Sequence, residues 1–476
     1  MNALDFLSSL SSQLIVVLGS GALLAIGLLV RPVVLLWLTT LLTLTIAGLV
    51  VYFVPSMGHL WWVTYGTAFL LYVLAAISVQ KSGQRPCRYS SPLMAISVGT
   101  FLVVTVLSTT LALPPAFQLL VSVKSLFMFG GLWAFFSFVP LKEQIVRKWL
   151  KSLLIIGVVQ WLFALYQYIF IRGLRLQLHL GTVEASDSVV GTFGGSTESG
   201  GLSAVLALFL VSSIIVVVAY YREGLVSKRR LALLLTFLAM PLLLMEVKVF
   251  FIYLPVSLLI LFRREIIHRP LMFFGTGTII VALLGGALYA YQVFHWSSAG
   301  GGLSENVEHS FGYSFQSEAD YWSRGYGSLT RVGTLFFWWE ENGMDSPAEM
   351  LIGHGLGASR TQGQVIGQAA ARYPKNIDRT GLALMLWDVG VLGVLGLFGV
   401  LLAAFLLAGK LGKSLQLLPW QRALAYGLQA IVPLFLLSLP YRNDIPYAAP
   451  MMFIVMSTFG LISWLNRQAM DTVQKQ

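Results

Sequence analysis

The sequence predicts an all-α polytopic membrane protein, and three observations predict it. Hydrophobic residues make up 57% of the 476-residue chain and charged residues only 11%, against about 25% charged in soluble domains. Apolar runs of about 20 residues, enough to span a hydrocarbon core as helices, recur from one end to the other. Basic residues gather in the short segments between these runs, where orientation is set. With a mean hydropathy of +0.79, no separate soluble domain is left once the apolar runs are removed. The net charge of +11 is therefore a topology signal, and no nucleic acid partner is expected.

In order, the apolar runs are Leu14 to Val30, Val33 to Val54, Leu60 to Val79, Leu93 to Leu113, Phe117 to Val139, Leu153 to Ile171 and Leu202 to Tyr221. They continue with Leu271 to Phe294, Leu382 to Ala408, Ala423 to Leu439 and Tyr447 to Leu465. The stretch Leu231 to Phe262 suits one overlong helix or two short ones. Lys228, Arg229 and Arg230 precede it and Arg263, Arg264 and Arg269 follow it, so both flanks read as cytoplasmic and the stretch as a helical hairpin. Its turn falls near Glu246 and Lys248, between Pro241 and Pro255. The best count is about thirteen helices, within a range of about 12 to 14, with the C-terminal tail inside. Arg31 alone orients the N-terminus, and an even count with that terminus inside is the alternative.

Three regions follow: residues 1–295 as a helix bundle that includes the hairpin 231–262, residues 296–380 as one large non-cytoplasmic helical loop, and residues 381–476 as the last spans and a short cytoplasmic tail. The opening residues carry no positive n-region, so the first apolar helix is expected to act as an uncleaved targeting signal. One cysteine, Cys87, excludes an intramolecular disulfide or a thiolate cluster. His59, His179, His295 and His309 lack ligand spacing, so neither a transition-metal site nor a cofactor is expected.

Candidate chemistry concentrates in the large loop. Glu318 to Asn342 reads as an amphipathic interfacial helix rich in Trp and Tyr. Arg324, Arg331 and Trp338 recur every seven residues and would share a face. That face suits an aromatic belt with snorkelling arginines, or a pyrophosphate and sugar rings held by charge-assisted bonds and ring contact. Gly353, His354, Gly355, Leu356 and Gly357 form a glycine-dense turn without the GK[ST] ending of a P-loop. It is either a tight surface turn or a backbone nest for an anion, with His354 handling protons. Arg360, Arg372, Lys375 and Arg379 add basic charge on the face where it should be scarce, which points to an anionic lipid headgroup or lipid pyrophosphate. Nearer the membrane, Lys248 with Glu246 is a local ion pair or a functional intramembrane charge. Val190 to Gly201, VGTFGGSTESGG, is a loop or an anion-holding helix start.

These pieces resemble the bacterial O-antigen polymerase and O-antigen ligase superfamily over roughly Val190 to Gly396. In order they are VGTFGGSTESGG, the hairpin LMEVKVFFIYLP, SLTRVGTLFFWW leading to LIGHGLGAS, and RTGLALMLWDVGVLGVLG. Lys248 stands where the family usually has an arginine, and Arg331 and the glycine turn match the family pattern. Arg379 lies where ligase-like members have a histidine before an asparagine, which favours a polymerase branch.

The resemblance implies a GT-C-like, metal-independent inverting glycosyltransferase in the bacterial inner membrane. It would act at the periplasmic face on undecaprenyl-pyrophosphate-linked oligosaccharide repeat units, in surface polysaccharide or exopolysaccharide biosynthesis. Partners would include membrane lipid and a chain-length regulator or other assembly proteins. Arg331, Arg379 and Lys248 are the expected leaving-group stabilisers. Arg324, Arg372, Lys375, Trp338, Gly353, Gly355 and Gly357 are the expected substrate contacts, and His354, Glu341 or Asp378 the base. Ligase-type transfer to an acceptor lipid is one alternative. A flippase for lipid-linked sugars is the other, from a different class; it would call for symmetric repeats that the sequence does not display.

Overall fold

The computed structural model describes residues 27–82, 91–172, 188–195, 201–245, 247–268, 329–343, 346–361, 365–373 and 376–475, with isolated residues between 274 and 289. Most of the run Leu271 to Phe294, most of Leu14 to Val30, and Arg324, Lys375, Glu246 and Cys87 lie outside the described residues. Among the described residues the fold is all helical.

Among the described residues, seven helices are long and apolar enough to cross a membrane: α1 (Pro32–Phe53), α2 (Leu60–Ser82), α3 (Pro92–Ala112), α6 (Glu143–Arg172), α7 (Ser203–Arg222), α13 (Gly381–Gly412) and α16 (Ala449–Lys475). A bent pair, α4 (Ala116–Phe127) and α5 (Gly130–Phe138), turns by 45° and makes an eighth if it is one span. The chain is a multi-pass membrane protein. α14 (Pro419–Ser438) follows α13 in the core.

Leu231 to Phe262 is two helices, α8 (Lys228–Leu244) and α9 (Phe250–His268), as the basic flanks require. Between the bundle and α13 the described residues form three short helices, α10 (Gly333–Asn342), α11 (Pro347–Ile352) and α12 (Gln368–Arg372). Between α14 and α16 sits the four-residue α15 (Asp444–Tyr447).

Local chemistry sets the helix ends. Ser91 caps α3 by accepting from the Met94 amide at 3.2 Å, with Pro92 in the first turn. Leu113, at φ 48°, closes the same helix before Pro114 and Pro115. Thr380 caps α13 through the Ala383 amide.

Inside the bundle, buried polar groups find partners. Trp149 Nε1 donates to Thr40 Oγ1 at 2.9 Å. The glycine-rich segment 188–195 enters the bundle as irregular backbone, which apolar surroundings tolerate only when every polar group is paired. Gln167 Oε1 accepts from the Val190 and Gly191 amides, and Gln160 Oε1 accepts from the Thr192 amide. Thr192 Oγ1 in turn donates to the Leu44 carbonyl. This half of the expected anion loop is a buried plug in which the Val190, Gly191, Thr192 and Phe193 amides are already bonded, and residues 196–200 lie outside the described residues.

The helix directions give the bundle two distinct ends. α7 begins, and α14 finishes, at the end where Arg442 Nη1 donates to the Gly201 carbonyl at 3.2 Å. α9 starts and α13 starts at this same end, since the Gly381 amide donates to the Arg442 carbonyl. Lys228, Arg229, Arg230, Arg263, Arg264, Lys410 and Lys413 therefore cluster at the opposite end.

Candidate functional site

At the end marked by Arg442, four elements converge. Thr330 sets the first: its Oγ1 accepts from the Gly333 amide at 2.9 Å and its carbonyl from Thr334. Arg331 thus stands at the opening turn of α10. Its guanidinium lies over the Tyr441 ring, 4.3 Å from the centroid, a cation–π geometry. Arg442 Nε is 3.6 Å from Asp444 Oδ2. Tyr253 of α9 stands in the same field, for Tyr441, Asp444, Arg331 and Arg442 all act on its hydroxyl.

Arg379 joins this group along the chain. It lies two residues before Gly381, whose amide donates to the Arg442 carbonyl at 3.0 Å, and Leu382 bonds the Leu439 carbonyl alongside. Lys248, half-buried, opens α9 five residues before Tyr253, about 8 Å along the axis at 1.5 Å per residue. The expected trio Arg331, Arg379 and Lys248 is thus gathered at one end of the bundle.

At this end two fixed cations, Arg442 and Arg331, act on the buried Asp444 carboxyl. Burial pushes the Asp444 carboxyl above the usual carboxylate range, while Arg442 and Arg331 pull it back down. Arg442, Asp444 and Tyr441 escaped the reading of motifs because they sit in a short turn without a pattern. The sign that could have found them is YRND itself, a charged cluster between two apolar runs on the face shared with the large loop.

The glycine turn does different work from the one expected of it. Gly353, Gly355 and Gly357 have φ of 74°, 89° and 76°, which only glycine adopts without strain. Their nest does hold an anion, but the anion is the chain's own Asp388. Asp388 Oδ2 accepts from the Gly357 amide at 2.7 Å, and Oδ1 accepts from the Ser359 amide and hydroxyl at 3.0 and 2.8 Å. The Gly355 amide donates to the Asp388 carbonyl and to Ser108 Oγ. α13 meets the turn by breaking at Gly390, φ 64°. These glycines are therefore positioning residues, with their amides committed within the fold.

His354 also belongs elsewhere. Its Nε2 lies 2.6 Å from Asn342 Oδ1, at the far end of α10 from Arg331. Eleven residues of helix separate those ends by about 16 Å. His354 lines a second cavity of about 280 Å³ with Glu349, Gln368 and Arg372. Burial lowers its imidazole, Glu349 raises it and Arg372 lowers it again. His354, a candidate base, and Arg372, an expected substrate contact, thus share this cavity, away from Arg331 along α10.

Trp338 is corrected too. It is only 5% exposed and packs with Phe337, Ile377 and Trp387, while its neighbour Trp339 is the exposed ring. Of the remaining base candidates, Asp378 is fully buried, with both oxygens bonded to Thr361. Burial raises its carboxyl and the Thr361 bonds oppose that rise. Glu341 is exposed and accepts from the Tyr373 hydroxyl at 2.8 Å.

No family model matches the chain, and no curated protein matches it.

Proposed function

We propose that this chain is a membrane glycosyltransferase that polymerises or transfers oligosaccharide repeats carried on undecaprenyl pyrophosphate, at the non-cytoplasmic face of the bacterial inner membrane. The observation that carries this reading is the convergence of Arg331 and Arg442 around Asp444, Tyr253 and Tyr441, at the end of the bundle where the backbone also brings Arg379 and Lys248.

The chemistry asks for that arrangement. An acceptor hydroxyl attacks the anomeric carbon from the side opposite the leaving group, the bond to the pyrophosphate oxygen breaks, and the hydroxyl proton departs. Charge builds on the pyrophosphate, and each fixed cation aimed at it lowers the barrier by about 3 to 4 kcal/mol when well placed. Arg331, Arg379 and Arg442 can grip phosphate oxygens with paired N–H groups, and Lys248 adds a point charge. Asp444, a carboxyl with a raised proton affinity beside those cations, is suited to receive the proton.

Orientation follows from the same two ends. The lysines and arginines clustered away from Arg331 put that end in the cytoplasm by the positive-inside rule, and the arginine group outside. This reading keeps about thirteen spans, a GT-C-like architecture and a cytoplasmic C-terminus. A polymerase fits better than a ligase, because Arg379 occupies the place of the ligase histidine.

The test supplies purified protein with an undecaprenyl-pyrophosphate glycan and resolves products by length. Longer chains, lost in Arg331→Ala, support the reading. Movement of the lipid across vesicles without product would replace it with a flippase.

A further inference from the structure

The end of the bundle opposite Arg331 holds a cavity of about 550 Å³ between α6, α7, α14 and α16. It falls within the about 300–1,000 Å³ of small-molecule sites. Its walls are Leu154, Phe209, Ile431 and Phe453, and its mouth carries Arg147 and Lys151. Along α14 the lining runs from Leu418 to Ile431, about 20 Å of chain at 1.5 Å per residue. One leaflet of a bilayer core, half of about 30 Å, is of that order.

The mouth is built as well as charged. Arg147 stacks its guanidinium 4.6 Å from the Trp420 ring centroid, and its Nε pairs with Glu143 at 2.9 Å. Trp420 Nε1 donates to the same carboxylate at 3.0 Å. Lys151, one turn further along α6, is exposed and makes no ion pair among the described residues. An apolar slot one leaflet deep with surplus positive charge at its rim matches an acyl chain beneath an anionic headgroup.

We infer that this cavity is a binding site for an anionic phospholipid, with the acyl chain between α7 and α14 and the headgroup at Arg147 and Lys151. The site is separate from the Arg331 group, because α7 spans about 30 Å between Gly201 and its far end. It stands whether or not the chain transfers sugars.

Native mass spectrometry of the full chain in detergent tests it, titrating phosphatidylglycerol against phosphatidylcholine with the same acyl chains. Wild type is expected to retain phosphatidylglycerol about 10- to 30-fold better, since each cation near an anionic headgroup favours it by about fivefold. Arg147→Ala with Lys151→Ala, both at exposed positions, brings the two lipids to parity. Ser213→Phe, which fills the slot, lowers retention of both lipids. Circular dichroism checks that each variant keeps its helices. Equal retention by wild type, a preference surviving the double variant, or full retention by Ser213→Phe overturns the assignment.

Discussion

Gly357 and Asp388 are joined across 31 residues of sequence by a 2.7 Å hydrogen bond from the glycine amide to the carboxylate. Together with the Ser359 amide and hydroxyl, it gives Asp388 three donors in a fully enclosed setting. Asp388→Ala strands those donors and is expected to destabilise the fold by about 3 to 5 kcal/mol. Asp388→Asn, which keeps one acceptor oxygen, should lose less. Thermal unfolding in detergent measures both, and an unchanged Tm in the alanine variant would contradict the clamp.

Glycine positions separate into two kinds. A Cβ on Gly353 would sit 2.6 Å from the Asp388 carbonyl carbon, and Gly390 would drive its own into Leu351; both have positive φ. Gly99, in the middle of α3, has open space. Gly353→Ala and Gly390→Ala should lower Tm sharply, whereas Gly99→Ala should raise stability by about 0.5 to 1 kcal/mol.

Arg331→Ala should reduce transfer by about 100- to 1000-fold with expression intact. Arg331→Lys, which keeps charge but loses the fork, should recover part of it. Arg442→Ala should resemble Arg331→Ala in the same product assay. Normal activity in either alanine variant would remove that arginine from the leaving-group role.

The pH profile separates Asp444 from His354. A carboxyl raised by burial accepts a proton only above its raised value, so transfer should climb with pH through a limb lying above about 3.9. Asp444→Asn should abolish that limb and most of the rate. A profile unchanged by this substitution would exclude Asp444 as the proton acceptor.

His354 has the opposite sign and a structural readout. Its imidazole is lowered in the folded state, chiefly by burial, so its contribution to stability is present above the unfolded value of about 6.5. That contribution is lost as pH falls through the folded value. His354→Gln should flatten the acid-side drop in Tm while leaving transfer near wild type. A large loss of transfer would join His354 to the reaction despite its spacing from Arg331.

Much of the architecture was legible because period and length are local properties. Val33 to Val54, Leu93 to Leu113 and Leu382 to Ala408 each became a helix within a few residues of the run, and the basic flanks of Leu231 to Phe262 separated α8 from α9. Arg331 was legible as a cation beside aromatic residues. Which anion fills a glycine nest was not, because φ values follow from glycine spacing while the partner carboxylate comes from a distant helix. The turn Tyr441 to Pro446 was legible as a non-cytoplasmic neighbour of the large loop, but not Tyr441 and Arg442 as site residues, whose meaning arises only when α14 delivers them beside α9 and α10.

The clamp at Asp388 also orders events during synthesis. Ser359 leaves the ribosome 29 residues ahead of the carboxylate that holds it. Until the following span has been threaded into the bilayer, the Gly357 and Ser359 donors lack their carboxylate. The layer outside the membrane therefore cannot settle first and wait for its anchor. Insertion of α13 and closure of that layer are one step in the biogenesis of the protein, and a lesion that delays the helix would surface as a misfolded loop.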